Sequence, residues 1–169
     1  MKYLLMTALF FGSSLFAKEL LKDPEFKKFE KNWKFNKKSE YNYLKTPKIR
    51  RGVLSIETKH KSESPYVYIT TFTPIKPNTD YTLTLSTKGN GEGSIQMGIR
   101  STIKPKEAIR NINLGLQARV TPGKEWEKHE VKFTSKGNFS DKNKPQLIIT
   151  FGKYLGKVEL KDLSLKTVK

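Results

Sequence analysis

Five polar side chains with planar hydrogen-bonding groups occupy alternate positions in two neighbouring strand-like segments. In residues 95–100 the apolar Ile95, Met97 and Ile99 alternate with polar residues, and residues 112–120 follow the same pattern. Because successive side chains of a strand point to opposite faces, the polar set should project away from the core. Its members are Gln96, Arg100, Asn113, Gln117 and Arg119. The set, which contains no lysine, predicts either a hydrogen-bonding floor on the outer face of a sheet or an ordinary solvated face.

A second set of candidate binding residues consists of four tyrosines, Tyr66, Tyr68, Tyr41 and Tyr43. The first two alternate with Val67 and Ile69, so either pair could face the core while the other is exposed or lines a cleft. The last two lie in the long basic stretch 36–51, which favours a loop platform at a cleft edge or a solvated flexible loop. Aromatic side chains offer a large contact area at low entropic cost, which makes them useful in binding.

Residues that could perform catalysis are scarce. The acids Glu125, Glu127 and Glu130 cluster beside a strand that looks peripheral, whereas a glycosidase needs two carboxylates facing each other across a cleft, roughly 5–10 Å apart. The two histidines, His60 and His129, have no cysteine partner, and zinc needs about four ligands. No Gly-x-Ser-x-Gly segment occurs. We therefore expect that the protein is not an enzyme.

The elements that must position the candidate residues are almost all strands. Short runs of β-branched, aromatic and alternating apolar residues recur between turn signals, and no segment keeps a helical period. The pattern predicts an all-β sandwich or barrel of eight or nine strands. Residues 24–31 and 104–110 could each form one helical turn. The glycine-rich stretch 89–93 is predicted to be a hairpin turn between two strands.

The last strand predicts a local irregularity. Val158 and Leu160 share one parity, whereas Leu163 and Leu165 share the other. A regular strand cannot place both pairs in one core, so an extra residue is required near Asp162. We expect a β-bulge there.

The N-terminal segment has the pattern of a secretory signal peptide. Lys2 precedes the apolar stretch 4–16, and Ala17 ends it as a small residue at a cleavage point. The stretch is shorter than the about 20 residues that a membrane-spanning helix needs. We expect residues 1–17 to be a signal peptide and residues 18–169 to form one secreted domain, extracellular or periplasmic. Because the chain has no cysteine, it has no disulfide and must be stabilised by its core or by a bound ion.

The chain is strongly basic, with 33 lysines and arginines against 16 acids and a formal charge of +17. Removal of residues 1–17 would subtract only Lys2. Such an excess attracts anionic partners, for example acidic polysaccharide, cell-surface polymer, anionic lipid or nucleic acid. It could equally serve only to keep the domain soluble.

Four segments, in order and at fitting spacing, resemble carbohydrate-binding modules of families 4, 9 and 22. They are 19–26 (ELLKDPEF) followed by Trp33, 77–85 (PNTDYTLTL), 121–126 (TPGKEW) followed by Val131 and Phe133, and 156–165 (GKVELKDLSL). The resemblance covers nearly all of residues 19–166. It implies a galactose-binding-like jelly roll, which is a β-sandwich of two antiparallel sheets, and a non-catalytic module of the kind usually appended to glycoside hydrolases.

The resemblance also implies a ligand. Such modules stack aromatic side chains on pyranose faces and bind hydroxyls with planar polar groups, often on a concave sheet face. Both candidate sets above fit this chemistry. The resemblance places Trp33 and Trp126 among the buried residues instead.

A structural calcium ion is typical of these modules, and here the sequence departs from them. The family usually has Glu directly after the opening Phe and Asp in the closing strand, where this chain has Lys27 and Lys161. A lysine ammonium offers no oxygen ligand and repels the ion. We expect the calcium site to be lost, unless Asp23, Glu25 and Asp162 supply replacement ligands.

Three functions remain open from the sequence. The first is a module that binds a neutral polysaccharide or oligosaccharide, and the second is a polyanion binder for acidic or sulfated glycans. The third is a structural surface domain without a sugar ligand. Nucleic acid is not expected, because no stripe of aromatic residues lies among the basic ones to stack on bases. We expect a monomer with no membrane span and no cofactor other than that calcium.

Overall fold

The computed structural model describes residues 17–37, 46–59, 66–103, 110–137, 139 and 144–168. Apart from Ala17, the predicted signal peptide lies outside the described residues. Tyr41, Tyr43 and His60 also lie outside them, as does most of the stretch 104–110.

Ten strands in the described residues form two antiparallel five-stranded sheets, which confirms the predicted all-β sandwich. The front sheet contains, in spatial order, β1 (Lys34–Asn36), β4 (Tyr68–Phe72), β9 (Gln146–Thr150), β6 (Ile95–Ile103) and β7 (Arg110–Val120). The back sheet contains β2 (Lys48–Arg50), β3 (Val53–Thr58), β10 (Tyr154–Thr167), β5 (Asp80–Gly93) and β8 (Glu127–Thr134). The number exceeds the predicted eight or nine because β1 and β2 have three residues each, too few for an alternating pattern.

The core lies between the sheets and is built from the alternating apolar positions. Leu83 and Leu85 of the back sheet are buried against Met97, Ile99 and Ile149 of the front sheet. Burial of each such side chain stabilises the fold by roughly 1.5–3 kcal/mol. The inward side chains thereby hold their polar neighbours in β6 and β7 on the outer side of the front sheet.

An aromatic cluster in the N-terminal segment closes one part of this core. Phe26, Phe29 and Trp33 pack with ring centroids 5.1–6.4 Å apart, and α1 (Phe29–Asn32) connects the last two. Trp33 is only 2% exposed, and its indole N–H donates to the Asp23 carbonyl at 2.9 Å. The prediction that Trp33 is a core residue is confirmed.

The corresponding prediction for Trp126 is wrong. This residue is 36% exposed and precedes β8, an edge strand of the back sheet. The Nζ atom of Lys161 lies 4.5 Å from its ring centroid, in a cation–π contact. An edge strand has a neighbour on one side only, so a bulky residue beside it can remain partly in solvent.

The stretch 89–93 is not a hairpin turn, and that prediction is also wrong. β5 continues through it to Gly93, paired with β10 from Val158 back to Tyr154. Glycine is required here by close approach, because a Cβ atom on Gly91 or Gly156 would overlap the backbone of the opposite strand. The chain passes to the front sheet only after Ser94, whose N–H donates to the Lys153 carbonyl at 3.2 Å.

The predicted β-bulge at Asp162 is confirmed. Between the pairs Lys161–Ser86 and Ser164–Thr84, β10 has one residue more than β5. Asp162 adopts a positive φ of 52° and its carboxylate accepts a hydrogen bond from the Ser86 hydroxyl at 3.0 Å.

The Glu19 carboxylate attaches the N-terminal segment to β10, along the edge of that strand that β3 leaves unpaired. Glu19 Oε1 accepts hydrogen bonds from the backbone N–H groups of Leu21 and Leu165, at 2.9 and 3.0 Å. Its Oε2 atom accepts one from the Ser164 hydroxyl at 2.6 Å. Glu19 also forms an isolated antiparallel bridge with Lys166, so this segment continues the back sheet beyond β3.

Candidate binding site on the front sheet

The strand register aligns outward-pointing residues in rows across the front sheet. One row runs from Asn36 through Tyr68, Thr150 and Gln96 to Arg119. Directly opposed residues of antiparallel strands have Cβ atoms about 4.5–5.5 Å apart. Three sequence-predicted site residues, Tyr68, Gln96 and Arg119, therefore lie in one continuous row.

Two further rows carry the remaining members of the polar set. Gln146, Arg100 and Asn113 are aligned by the pairing of β9, β6 and β7. Between these two rows, Gly98 is paired with Gln117. Because Gly98 has no side chain, the sheet surface is lowest between the two arginines of this region.

The structure brings all five sequence-predicted polar residues to one cavity. Gln96, Arg100, Asn113, Gln117 and Arg119 line a cavity of about 260 Å³ on this outer face. The rest of its lining comes mainly from the backbone around Gly98 and from the outward side chains of β9, Ile148 and Thr150. Their shared location follows from parity, but that a ligand binds there stays a prediction.

An irregularity in β7 preserves this arrangement. Gly98 pairs with Gln117 and Arg100 with Asn113, so residues 114–116 of β7 lie opposite Ile99 alone. Two extra residues leave the parity unchanged, which keeps both amides on the outer face. Gly115 has a φ of 113°, and its N–H donates to Asn113 Oδ1 at 2.7 Å. The Asn113 amide nitrogen is left to donate elsewhere.

The tyrosine alternatives are decided by burial. Val67 and Ile69 are buried in the core, whereas Tyr66 is 48% exposed and Tyr68 is half-buried on the outer side of the front sheet. Tyr68 lies two strands from Gln96, separated from it by Thr150. It extends the row beyond the cavity itself, and Tyr66 has the same parity just before β4 begins.

Two parts of this surface were not expected from the sequence, namely Phe72 of β4 and the outward residues of β9. Phe72 of β4 is half-buried and shares the outer parity of Tyr68, and Lys22 Nζ lies 6.0 Å from its ring centroid. Ile148 and Thr150 of β9 line the cavity. The alternation of Gln146, Ile148 and Thr150 with buried residues could have indicated that they face outward. The position of their strand in the sheet could not be read from the sequence.

The outer face of the front sheet carries cations but no acid among its described strand residues. We call it the front face, defined by Lys34, Asn36, Tyr68, Thr70, Phe72, Gln146, Ile148, Thr150, Gln96, Gly98, Arg100, Asn113, Gln117 and Arg119. Arg100 and Arg119 are both exposed, and neither forms an ion pair with another described residue. This surface therefore has a positive potential that the described strand residues do not neutralise.

The outer face of the back sheet, here the back face, mixes both signs of charge. Its ion pairs include Lys157 with Glu159 at 2.6 Å and Lys132 with Glu130 at 3.5 Å. A second cavity of about 430 Å³ is lined by residues that include Lys88, Asn90 and the Lys157–Glu159 pair. Of the three lysines that line this cavity, Lys88 and Lys157 lie within 4 Å of an acid, in contrast to the arginines of the front face.

The three acids considered as replacement ligands for calcium each have another partner in the structure. Asp23 accepts the Lys28 backbone N–H at 2.9 Å, and Glu25 forms an ion pair with Lys27, which raises the pKa of the lysine through their hydrogen bond. Asp162 is bonded to the Ser86 hydroxyl and lies 3.8 Å from Lys161 Nζ. Within the described ranges, no three histidine or acidic side chains come together as a metal site. Calcium needs six to eight oxygen ligands.

Two of the three acids near β8 have local partners on the back sheet. Glu130 pairs with Lys132, and Glu125 lies 3.9 Å from Lys88. His129 shares a hydrogen bond of 2.8 Å with the Thr87 hydroxyl, which gives it a structural role between β8 and β5. None of these groups lines the front-face cavity.

In the described part of the chain, no helix has the length and apolar character needed to cross a membrane.

Comparison with known proteins shows the fold. No family model and no curated protein sequence matches the chain. Among solved structures, a CBM4 superposes with a TM-score of 0.71 at 12% identity, covering 88% of this chain and 99% of that one. The second N-terminal cellulose-binding domain of β-1,4-glucanase C from Cellulomonas fimi gives 0.63 at 14% identity, with 90% and 96% covered. The first such domain of the same enzyme gives 0.60 at 14% identity, with 82% and 90% covered.

These likenesses extend over whole modules, so the structure has the jelly-roll sandwich of carbohydrate-binding modules. The fold predicted from the sequence resemblance is confirmed. At 12–14% identity, the likeness does not transfer a ligand to this chain.

Proposed function

We propose that the protein is a secreted, non-catalytic saccharide-binding module whose ligand lies along the front face. The observation that carries the proposal is the assembly of five planar polar side chains around one cavity on a sheet face that continues to Tyr68. Secretion rests on the pattern of residues 1–17, and the fold of cellulose-binding domains supports a saccharide as the ligand class.

The chemistry of the cavity suits hydroxyl groups. Each sugar hydroxyl both donates and accepts, and the Gln96 and Gln117 amides offer both functions in a plane. Asn113 is fixed by its bond to the Gly115 N–H and contributes its amide nitrogen. Because the backbone of a paired strand is already fixed, only the side-chain rotamers of these residues lose entropy on binding.

The size of the cavity suits part of a chain. Its about 260 Å³ lies just below the range of roughly 300–1,000 Å³ usual for enclosed small-molecule pockets. The row that leads through Thr150 to Tyr68 offers additional surface for neighbouring sugar units. We therefore propose that one unit occupies the cavity and that the rest of an oligosaccharide or polysaccharide lies across the sheet.

The proposal is tested by measuring binding of residues 18–169 to a panel of neutral and acidic polysaccharides, by affinity electrophoresis and then calorimetry. The double variant Gln96→Ala/Gln117→Ala should weaken binding of the best ligand about tenfold or more, because it removes at least two hydrogen bonds. Its melting temperature should be unchanged, since both side chains point away from the core.

Asn90→Ala is the matched control, because it removes an exposed amide that lines the back-face cavity. It should leave the affinity within twofold of wild type. Equal loss in both variants would contradict the front-face location. A protein that binds none of the polysaccharides would support the alternative of a structural surface domain.

A further inference from the structure

We infer that the ligand of the front face is an acidic glycan whose sugar units carry carboxylates, with Arg100 and Arg119 each binding one uronate unit. This inference rests on the proposed function and names the ligand class of the same site. It is motivated by the two guanidinium groups in the cavity lining and by the lack of acid on the described front-face strands.

The surroundings of the two arginines differ from those of four lysines of the back face. Lys157, Lys132, Lys88 and Lys161 of the back face each lie within 4 Å of a carboxylate oxygen, at 2.6, 3.5, 3.9 and 3.8 Å. Arg100 and Arg119 have no such neighbour among the described residues. A ligand carboxylate would therefore meet guanidinium groups that need not first break an internal ion pair.

Each arginine is paired in register with an amide residue of the neighbouring strand. Arg119 is paired with Gln96, and Arg100 with Asn113, across the β6–β7 ladder. A guanidinium can donate two parallel hydrogen bonds to the two oxygens of one carboxylate, and an adjacent amide can donate to a remaining lone pair. The same combination of planar donors thus occurs twice in one cavity.

The two combinations are separated along the strand direction. Gln96 and Arg100 are four positions apart on β6, which corresponds to about 13 Å at the rise of a strand. That separation exceeds one pyranose ring, so the two arginines would contact different sugar units. A chain that carries carboxylates on several units satisfies both at once, whereas a single acidic sugar satisfies only one.

The donors of the cavity suit an acceptor that takes two parallel hydrogen bonds, such as the carboxylate of a uronate. Arginine is the side chain best suited to planar, bidentate recognition, while a lysine ammonium acts as a point charge. The cavity contains two arginines and no lysine. The back-face cavity is lined by lysines instead, together with Glu159, so its cations act as point charges.

The test uses two pairs of polysaccharides, and the members of each pair share a sugar backbone but differ in charge. Binding of residues 18–169 is measured to polygalacturonate, to its methyl ester, to dextran and to dextran sulfate, at low and at physiological ionic strength. Polygalacturonate should bind at least about tenfold more tightly than the methyl ester, because esterification removes the charge and the bidentate acceptor but keeps the sugar.

Variants then assign the effect to the two arginines. Arg100→Gln/Arg119→Gln should lose at least about tenfold in affinity for polygalacturonate. Arg100→Lys/Arg119→Lys keeps the charge and should still lose severalfold, because the bidentate geometry is gone. Lys48→Gln/Lys128→Gln removes the same charge from exposed positions of the back sheet and should change the affinity less than twofold.

The outcomes separate this inference from the proposed function. Front-face binding of a neutral glycan, or of polygalacturonate and its ester equally, would overturn the uronate inference and leave the saccharide module standing. Tighter binding of dextran sulfate, or equal losses in the arginine and lysine-to-glutamine variants, would show non-specific polyanion binding and also overturn it. Failure of every saccharide to bind would remove both.

Discussion

The two outer faces of the sandwich distribute charge differently. The back face places lysines next to acids, as in the pairs Lys157–Glu159 and Lys132–Glu130. The front face has no acid on its described strands and presents Arg100 and Arg119 beside planar amides. Surface ion pairs contribute little to stability, so the main effect of the back-face acids is to balance local charge.

The different charge patterns of the two faces bear on where the protein attracts anions, which its composition cannot specify. A formal charge of +17 says that the protein attracts anions, but not where. The contrast between the two faces indicates that the front face combines positive potential with the more specific set of hydrogen-bond donors. The excess of lysine elsewhere would add long-range attraction that weakens with salt.

The two sheets use glycine for different purposes. Gly156→Ala in β10 should destabilise the protein by about 3 kcal/mol or more. Its φ is 120°, and a Cβ atom there would overlap the Asn90 backbone. The expected loss is measured as the free energy of unfolding in urea.

The same substitution on the front sheet is the control. Gly98 does not need a positive φ, and its Cβ would lie 3.4 Å from the Leu116 carbonyl oxygen, so Gly98→Ala should change stability by less than about 1 kcal/mol. The added methyl group would instead occupy the floor of the cavity and weaken ligand binding. Comparable destabilisation by both variants would contradict this division between scaffold and site.

Two acids of the back sheet, Glu19 and Glu130, should differ in how much they contribute to stability. Glu19→Ala should cost about 1–3 kcal/mol of stability, because it leaves the N–H groups of Leu21 and Leu165 and the Ser164 hydroxyl without their acceptor. Glu130→Ala removes an exposed acid paired with Lys132 and should cost about 0–1 kcal/mol. Thermal denaturation of both variants at neutral pH compares them.

A Glu19 variant as stable as the Glu130 variant would mean that the N-terminal segment does not depend on this carboxylate. In that case the segment would be held mainly by the cluster of Phe26, Phe29 and Trp33. The measurement therefore separates polar attachment from aromatic packing.

The sequence was informative wherever parity decided the structure. Alternation alone placed Gln96, Arg100 and Gln117 on one outer face, because one misplaced residue would have put a charge into the core. The opposed parities of Val158 and Leu163 likewise required the bulge at Asp162. These features follow from burial, which a linear pattern encodes directly.

The sequence was misleading where a distant strand decided the structure. The stretch 89–93 has the composition of a turn, yet its glycines are required by the backbone of β10, more than sixty positions away. Trp126 matched a buried position of related modules but lies beside an edge strand. The part of the front face contributed by Phe72, Ile148 and Thr150 could not be assembled either, because strand order across a sheet is not a local property.

Tyrosine gives the last and smallest comparison between the sheets. Tyr68 is half-buried on the front face, whereas Tyr154 of β10 is fully buried in the core, where the absent side chain of Gly89 makes room for its hydroxyl. Among the described residues the Tyr154 hydroxyl has no hydrogen-bond partner. Burial raises the pKa of Tyr154 above its ordinary value near 10.

Tyr154→Phe should therefore leave stability at pH 7 unchanged or raise it by up to about 1 kcal/mol, because an unpaired buried hydroxyl is removed. In the wild type, the folded state retains the phenolic proton at a pH where the unfolded chain has lost it, so stability decreases as pH rises from about 10 towards the raised pKa. The variant should show a shallower decrease over the same range in urea titrations. Destabilisation at pH 7 by more than about 1 kcal/mol would instead mean that the hydroxyl is bonded in the folded protein, and the back sheet would then resemble the front in satisfying its polar groups.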